Sequence, residues 1–433
     1  MLTTEENDML TQTEADTPMG EYFRRFWQPV ALSEELPEPD GPPLRVTVMG
    51  EEMVAFRDTE GRIGLVDSRC PHRGANLFFG RNEECGLRCV YHGWKFDVTG
   101  KAVDLPNVPP GVRHHDTMRI KAYPTREFGD MVWAYMGPAT DQMPEIPRLE
   151  FGLVADSKRF VMKQRVECNW VQVMEGDLDT SHFSFLHMPA PNVETTENRD
   201  VNSPNRHLEW MRRDGQPKFD LLDHEVGFVA GGARATDSDG ELYWRMTQFM
   251  LPSHGTGPAT VRGETYYGMT LVPITDTSCW MYCYGWNPER DLHDAEITKF
   301  KAGHGIMAEV DADYMPLRNR GNDYGIDREI QKHETYTGVK GTAEQDIMVQ
   351  QSQGLIVDRT WENLTATDAA IVRFRRMLIG AATELAHHGN EPTAPHNPEA
   401  YCTRPGAHVA ASNKELEEVL TERFGHPRGR VSA

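Results

Sequence analysis

The sequence of 433 residues lacks any apolar run near the length of about 18 residues that a membrane-spanning helix needs. Its N-terminal segment, MLTTEENDML, also lacks the basic stretch and hydrophobic run of an export signal. These absences predict a cytoplasmic protein that does not cross a membrane. The length predicts two domains, because a single hydrophobic core rarely serves so long a chain.

Positive charge is scarce. The chain has 45 Lys and Arg residues against 66 Asp and Glu residues, which gives a net charge of −21. Such a surface repels the phosphates of nucleic acids and the head groups of anionic lipids. The charge balance therefore argues against a nucleic acid or a membrane surface as a partner.

The sequence also lacks the even set of cysteines that a disulfide framework requires. It contains seven cysteines, and a cytoplasmic protein keeps its thiols reduced. Two of the cysteines stand beside histidines at spacings typical of metal ligands. We therefore expect cysteine to serve metal binding rather than cross-linking.

Composition and turn signals divide the chain into four parts. Residues 1–43 read as a helical lead-in, and residues 44–140 read as an antiparallel β domain of short apolar runs such as LRVTVMG and DMVWAYMG. A proline-containing linker is predicted around residues 137–150. Residues 141–388 predict an α+β domain, and residues 389–433 predict an extended tail with one short helix, KELEEVLTERF.

Local patterns predict several elements inside these parts. A helix should start at Thr17-Pro18, and another should run through the centre of CNWVQVMEGDLDTSHFSFLH. Two strands should flank a turn at Thr275–Ser278. The segment from Glu344 to His388 predicts a helix. Its core positions, at helical spacing, are Ile371, Phe374, Leu378 and Leu385.

Two cysteine–histidine pairs form the clearest motif. Cys70 and His72 stand in CPHRG, and Cys89 and His92 stand in CVYHGW. Two cysteines and two histidines can bind Zn²⁺, or a [2Fe–2S] cluster with one iron on sulfur and the other on nitrogen. In zinc fingers the two cysteines usually share one pair. Here each pair supplies one of each, which favours a Rieske-type [2Fe–2S] cluster over zinc.

A second group of candidate ligands follows in the C-terminal half, where Asp179, His182 and His187 stand close together. Two histidines and one carboxylate on a single face are typical of non-haem Fe(II) oxygenases. On a straight helix, however, His182 and His187 would point about 140° apart. They can bind one ion only if the helix bends or ends between them, and the nearby Pro189 is compatible with such an ending.

The chain resembles the oxygenase components of Rieske non-haem iron ring-hydroxylating oxygenases, in particular the phthalate 4,5-dioxygenase branch. The resemblance covers the lead-in, the CPHRG and CVYHGW segment, CNWVQVMEGDLDTSHFSFLH and EQDIMVQQSQGLIVDRT. It implies a Rieske β domain followed by an α+β catalytic domain of the helix-grip, START-like kind. It further implies that His182, His187 and Asp346 bind mononuclear Fe(II). Asp179 would then bridge a Rieske histidine of one subunit to an iron ligand of the next.

The third iron ligand comes from this resemblance alone. By composition, Glu344, Asp358 and Glu362 are equally good candidates, and Asp346 has no better claim. Arg245 matches an arginine that binds substrate carboxylate in phthalate dioxygenases, and an arginine can grip a carboxylate with two hydrogen bonds. The alternative is a structural arginine paired with an acid on the sheet.

A second carboxylate-binding residue could be Arg206, but the HLEW that follows it departs from the family pattern.

The substrate implied by the resemblance is a small aromatic molecule, such as an aromatic carboxylate of the phthalate type. The implied partners are O₂, a separate NADH-dependent flavin and iron–sulfur reductase, and further copies of the chain in head-to-tail trimers. Two alternative functions remain at this stage: a monooxygenase or O- or N-demethylase, and an electron-transfer protein that uses only the Rieske cluster.

Overall fold

The computed structural model describes residues 1–109, 117–138, 143–191, 193, 204–257, 264–303 and 305–431. The sequence-predicted linker lies partly outside these residues, at 139–142. From Met143 onward its described part packs on the protein, since the Trp27 indole donates a hydrogen bond to the Pro144 carbonyl at 2.8 Å.

The chain begins with helices α1 (Thr4–Thr11) and α2 (Pro18–Arg24). The Thr17 side chain accepts a hydrogen bond from the Gly20 amide, and Pro18 occupies the first turn, so the predicted helix start is confirmed. The lead-in is not helical throughout, however. Its buried run WQPVAL forms strand β1 (Trp27–Leu32), because β-branched and aromatic residues favour a strand that can be covered on both faces.

Short antiparallel strands make up the next part, as the sequence predicts. They are β2 (Leu44–Val48), β3 (Glu51–Arg57), β4 (Ile63–Asp67), β5 (Arg81–Glu83), β6 (Gly86–Arg88), β7 (Lys95–Phe96), β8 (Ala102–Asp104), β9 (Ala122–Tyr123), β10 (Thr125–Phe128) and β11 (Met131–Tyr135). Their sheets have the orders β1-β11-β10, β2-β3-β4-β9 and β5-β6-β7-β8. A separate apolar core, including Phe56, Leu87 and Phe96, holds Cys70 and Cys89 at its edge.

The C-terminal part is built on one large antiparallel sheet of the order β12-β18-β17-β16-β15-β14-β13, with β19 paired to β15. Its strands are β12 (Arg159–Val166), β13 (Lys218–His224), β14 (Gly227–Ala235), β15 (Glu241–Met250), β16 (His254–Gly257), β17 (Tyr266–Thr275), β18 (Ser278–Trp286) and β19 (Gly406–Ala411). Its helices are α3 (Trp170–Leu178), α4 (Pro204–Arg213), α5 (Asp294–Lys301), α6 (Arg328–His333), α7 (Thr342–Ser352), α8 (Ala369–His388) and α9 (Leu416–Phe424). The predicted hairpin turn between β17 and β18 is confirmed, and the fold is α+β.

Helix α3 is buried and carries most of the site. It packs on strands β16 and β17 and against helices α7 and α8. Phe374 of α8 meets the Phe249 ring of β15 edge-on at 5.0 Å, and Trp170 of α3 meets the same Phe374 at 5.9 Å. The start of α3 and the middle of α8 are therefore held in one apolar core with the sheet.

The predicted helix from Glu344 to His388 is interrupted. Helix α7 ends at Ser352, and α8 begins only at Ala369. Gly354 has a φ of +106°, a backbone conformation that ends a helix and favours glycine. Of the predicted core positions, Phe374, Leu378 and Leu385 are buried, whereas Ile371 is only half-buried and borders a cavity.

The prediction of an extended tail over residues 389–433 is wrong for the central portion of that segment. Strand β19 adds to the large sheet through a register from Glu241↔Ala411 to Met246↔Gly406. The predicted short helix is confirmed as α9, which packs its Leu416 and Leu420 against that sheet. In the described part of the chain, no helix is both long enough and apolar enough to cross a membrane.

Candidate metal centres and active site

The first cysteine–histidine loop is a tight turn. The Gly74 amide donates to the Cys70 carbonyl at 2.8 Å, and the Cys70 amide donates to the Ala75 carbonyl at 2.8 Å. Gly74 has a φ of +72°, which favours glycine over residues with a side chain. The turn thus brings the side chains of Cys70 and His72 to the same end of the β domain.

The second loop repeats this construction. The Gly93 amide donates to the Cys89 carbonyl at 3.0 Å, and the Cys89 amide donates to the Trp94 carbonyl at 2.8 Å. Gly93 has a φ of +78°. Two loops with the same hydrogen bonds are what the alternating order of cysteine and histidine predicts.

The four side chains of these loops face one another. The rings of His72 and His92 lie with their centroids 4.4 Å apart, and His72 also stacks on Trp94 at 4.6 Å. Both cysteines are buried, and burial raises the pKa of the Cys70 thiol to about 11, with a further contribution from Cys89.

One atom of this group is left without a partner. The Nδ1 atom of His72 is buried and makes no hydrogen bond to any described residue. A buried ring nitrogen with no partner is costly unless something binds it. Two adjacent thiols, two adjacent imidazoles and this free nitrogen fit a cluster with sulfur on one iron and nitrogen on the other.

The second constellation depends on how α3 ends. Asp179 caps the helix in an extended conformation, and its Oδ1 accepts hydrogen bonds from the Ser181 amide at 2.6 Å and the Ser181 hydroxyl at 2.7 Å. This Asx turn stops the helix before His182. The ending that the spacing requires is therefore present, and Asp179 rather than Pro189 produces it.

Because the helix stops there, His182 and His187 meet. Their Nε2 atoms lie 3.0 Å apart. The Oδ1 atom of Asp346, on α7, lies 3.2 Å from His187 Nε2 and 3.6 Å from His182 Nε2. Two imidazole nitrogens and one carboxylate oxygen thus converge on one point, the arrangement that binds Fe(II) with open positions.

The other acids that composition allowed have different partners. Glu344 is fully buried and accepts a hydrogen bond from the Glu309 amide, while Glu362 forms an ion pair with Arg375 at 2.5 Å. Asp358 accepts from the amide and hydroxyl of Thr360. Among these candidates, only Asp346 joins the two histidines.

Asp179 has a second contact besides the turn. Its Oδ2 lies 3.6 Å from Nδ1 of His182, the ring nitrogen that faces away from the three-residue site. Burial raises the pKa of Asp179, but contacts with His182 and Ser181 lower it further, so the net shift is downward. An ionised carboxylate at this position holds the His182 ring with Nε2 toward the site.

A cavity opens beside the three converging residues. His182 and Asp346 form part of its wall, and Asp177 and Arg245 also line it. Most of the remaining wall is apolar, and the apolar side chains are Val173, Phe183, Met269, Met281, Ile306 and Ile347. A chamber with a mostly apolar wall and a few polar groups suits a small aromatic molecule that carries a polar substituent.

Arg245 is the cationic group of this cavity. Its guanidinium carbon lies 4.2 Å from the centre of the Phe183 ring. Among the described residues, no carboxylate lies within ion-pair distance of it. Burial lowers the pKa of Arg245, and Asp177 is close enough to oppose part of this lowering. Arg206 differs, since its guanidinium pairs with Glu209 and Asp237 and it does not line the cavity.

Sequence reasoning missed several polar residues of the site, and two of them lie close to predicted ligands in the sequence. Asp177 precedes Asp179 by two positions and faces the cavity, and its Oδ2 is buried without a hydrogen-bond partner among the described residues. Gln345 directly precedes Asp346 and contacts His187 at 2.8 Å. Their proximity to predicted ligands in the sequence is a signal, but it does not show which way their side chains point.

Comparison with known proteins agrees with this geometry. Residues 26–124 match the family described as Rieske [2Fe-2S] domain, and residues 134–403 match that described as LigXa C-terminal domain like. The chain is 38% identical over 387 residues to phthalate 4,5-dioxygenase oxygenase subunit of Pseudomonas putida, covering 88% of this chain and 86% of that protein. The chain belongs to the Rieske non-haem iron oxygenases. It is an oxygenase component of the phthalate 4,5-dioxygenase-like branch.

A further relative and a solved structure also match the chain. The chain is 30% identical to 5,5'-dehydrodivanillate O-demethylase oxygenase subunit of Sphingobium sp. (strain NBRC 103272 / SYK-6), covering 91% of this chain and 83% of that protein. The solved structure of dicamba monooxygenase bound to 3,6-dichlorosalicylic acid has a TM-score of 0.59 at 18% identity, covering 85% of this chain and 99% of that one. This Rieske oxygenase uses a [2Fe–2S] cluster and a mononuclear iron. An electron carrier without a catalytic domain is excluded.

Proposed function

We propose that this Rieske oxygenase is the terminal component of a multicomponent system that hydroxylates an aromatic carboxylate, such as phthalate or a relative. The observation that carries the proposal is the convergence of His182, His187 and Asp346 at the wall of a cavity that contains Arg245. We propose a Rieske domain over residues 44–140 and a catalytic domain over residues 141–388, to whose sheet β19 and α9 of the C-terminal segment add.

Each residue has a distinct part in this proposal. Cys70, His72, Cys89 and His92 hold the cluster, which supplies electrons one at a time when it is bound. His182, His187 and Asp346 would hold the iron, which would supply the activation of O₂.

In the cavity, Arg245 binds the substrate carboxylate through two hydrogen bonds, and the Phe183 ring packs against its guanidinium. The surrounding apolar side chains hold the aromatic ring and exclude water. The substrate is thereby oriented with its ring toward His182 and Asp346.

We further propose that electrons arrive from an NADH-dependent flavin and iron–sulfur reductase and cross between two subunits of a head-to-tail trimer. Asp179 is suited to this crossing because its side chain is about one-fifth exposed and touches His182. Exposed large apolar side chains on both domains support the association of chains. In the Rieske domain they include Phe79, Val90 and Tyr91, and in the catalytic domain they include Phe185, Tyr336 and Trp361.

The trimer is tested by measuring the mass of the purified protein in solution. We expect three or six times the mass of one chain. A monomer with full turnover would contradict electron transfer between subunits.

Substrate recognition is tested by replacing Arg245 with Met. Loss of a charged hydrogen-bonding group costs about 1.5–3 kcal/mol, which corresponds to a rise of about 10- to 100-fold in the KM for an aromatic carboxylate. The matched control is the methyl ester of the same substrate, whose KM should change little. An unchanged KM for the free acid would remove the role of Arg245.

The reaction type is tested by turnover with a generic reductase over aromatic mono- and dicarboxylates and their methoxy analogues. With ¹⁸O₂, two labelled oxygens on the ring indicate dioxygenation. Release of formaldehyde from a methoxy analogue indicates O-demethylation, the activity named for the Sphingobium relative. The same residues would bind iron in either case.

A further inference from the structure

His187 is oriented by a buried glutamine that no ligand motif identifies. The Nδ1 atom of His187 lies 2.8 Å from Oε1 of Gln345. The Nε2 atom of Gln345 donates to the Val339 carbonyl at 2.9 Å. Gln345 and the His187 side chain are 5% and 6% exposed, so water hardly competes for these hydrogen bonds.

This chain of contacts fixes the position of one proton. The Val339 carbonyl can only accept a hydrogen bond, so the amide nitrogen of Gln345 must face it. The amide oxygen then faces His187 and can only accept. Nδ1 of His187 must therefore carry the hydrogen, and Nε2 keeps the lone pair that a metal ligand needs.

The backbone around Gln345 keeps this arrangement rigid. The Val339 amide donates to the Thr337 hydroxyl at 3.1 Å, which fixes the turn that presents the Val339 carbonyl. The Gln345 amide donates to the Gly341 carbonyl at 3.2 Å in the first turn of α7. That same turn also carries Asp346. The start of α7 therefore supplies one ligand, Asp346, and orients another, His187.

His182 is oriented differently. Its Nδ1 atom faces Asp179 at 3.6 Å, beyond normal hydrogen-bond distance, and the Asp179 side chain is 21% exposed. The contact of His187 is shorter, neutral and buried. Of the two histidines, His187 therefore has the closer and more buried contact at Nδ1.

We propose that Gln345 is a positioning residue that holds His187 in its Nδ1-protonated tautomer and so prepares the site for metal. The inference rests on the proposed metal centre. Groups that orient metal-bound histidines typically contribute about 10- to 100-fold in metal affinity. Gln345 is not among the residues that line the cavity, so its effect should appear in metal binding rather than in substrate affinity.

The experiment measures binding of Co²⁺ to the holo-Rieske protein after removal of the mononuclear metal, by equilibrium dialysis and elemental analysis. Cobalt is counted separately from the iron of the cluster. Gln345→Met keeps the length of the side chain but removes the strong acceptor, and we expect about 10- to 100-fold weaker binding. Gln345→Glu keeps an acceptor oxygen toward His187. Burial favours the protonated carboxyl, whose hydroxyl replaces the donor to the Val339 carbonyl, so this variant should bind cobalt within a few-fold of the unmodified protein.

The matched control is Gln351→Leu on the same helix. Gln351 is buried and accepts a hydrogen bond from the Tyr324 hydroxyl at 2.7 Å, and it lines neither cavity beside the ligands. Cobalt affinity should not change in this variant. Equal weakening in Gln351→Leu and Gln345→Met would overturn the proposal, because general loosening of α7 would then explain both.

Two further outcomes would also overturn it. Unchanged affinity in Gln345→Met would show that the hydrogen bond does not prepare His187, and equal loss in Gln345→Glu would show that an acceptor is not what matters. The metal centre itself is checked separately by Asp346→Ala. If the unmodified protein bound no more cobalt than Asp346→Ala, the metal centre would fail, and the role of Gln345 with it.

Discussion

Replacing Glu175 with Gln should destabilise the protein more than replacing Glu362 with Gln. Glu175 lies on α3, one turn before Asp179. It accepts hydrogen bonds from Arg359 at 3.0 and 2.9 Å and from Arg375 at 2.6 Å. Burial raises the pKa of Glu175, but the two guanidinium groups lower it further, and the net shift is downward.

The loss in free energy of unfolding depends on which arginine loses its carboxylate partner. Arg375 keeps a second carboxylate, Glu362, at 2.5 Å. Arg359 is fully buried, and the other hydrogen-bond partners of its guanidinium among the described residues are the neutral oxygens of Asn7 and Val357. An uncompensated buried charge costs about 3–5 kcal/mol. Glu362→Gln is the matched comparison. It should cost only about 1–2 kcal/mol, because Glu175 still neutralises Arg375.

The assay is unfolding in urea at pH 7 and at pH 4, with tryptophan fluorescence as the readout. Urea is used because it is uncharged and does not screen ion pairs. Because the folded pKa of Glu175 is depressed, its contribution is present above the ordinary value of 4.5 and is lost as the pH falls through the folded pKa. The difference between Glu175→Gln and the unmodified protein should therefore shrink at pH 4. A loss below about 1 kcal/mol at pH 7, or a loss no larger than in Glu362→Gln, would refute the reasoning.

Three further predictions concern the metals and pH. Asp179→Asn should keep both metals but slow product formation severely, which single-turnover kinetics with a pre-reduced cluster would show; unaffected turnover would remove the bridging role. Asp346→Ala should lower iron from about three to about two per chain with an unchanged Rieske EPR spectrum; retained iron would place the third ligand elsewhere. Burial lowers the pKa of His254, which pairs with the Thr270 hydroxyl, to about 3 from 6.5. Stability should thus fall by about 2 kcal/mol between pH 6.5 and pH 5, and urea unfolding of His254→Gln should lack this component; an identical pH profile would contradict it.

The ligand loops could be predicted from the sequence because all their information is local. Cys70 and His72 lie within a single turn, as do Cys89 and His92, and a glycine with positive φ closes each turn. The alternating order of cysteine and histidine then specifies the cluster type. The iron histidines were also recognisable, but their spacing alone argued against a shared ion until the end of α3 was known.

The remaining parts of the site depend on contacts between distant segments. Asp346 lies close to His182 although the two are more than 160 residues apart in the sequence. Only the family resemblance distinguished Asp346 from Glu344, Asp358 and Glu362. The role of Gln345 depends on the orientation of an amide that Val339 sets. Strand β19 is similar, since the partner that keeps its segment from being an extended tail is β15 of the central sheet.

Asp179 explains why an unfavourable spacing works. A helix that continued through His182 would send the two histidines to different faces, so the carboxylate must first stop the helix. It does so through Oδ1, which binds Ser181, and this leaves Oδ2 free to face Nδ1 of His182. Asparagine would also supply the oxygen that forms the turn but not the charge. Asp179→Asn therefore separates the two roles. Retained metal binding would show that the turn is intact, and slower electron transfer would show that the charge is needed.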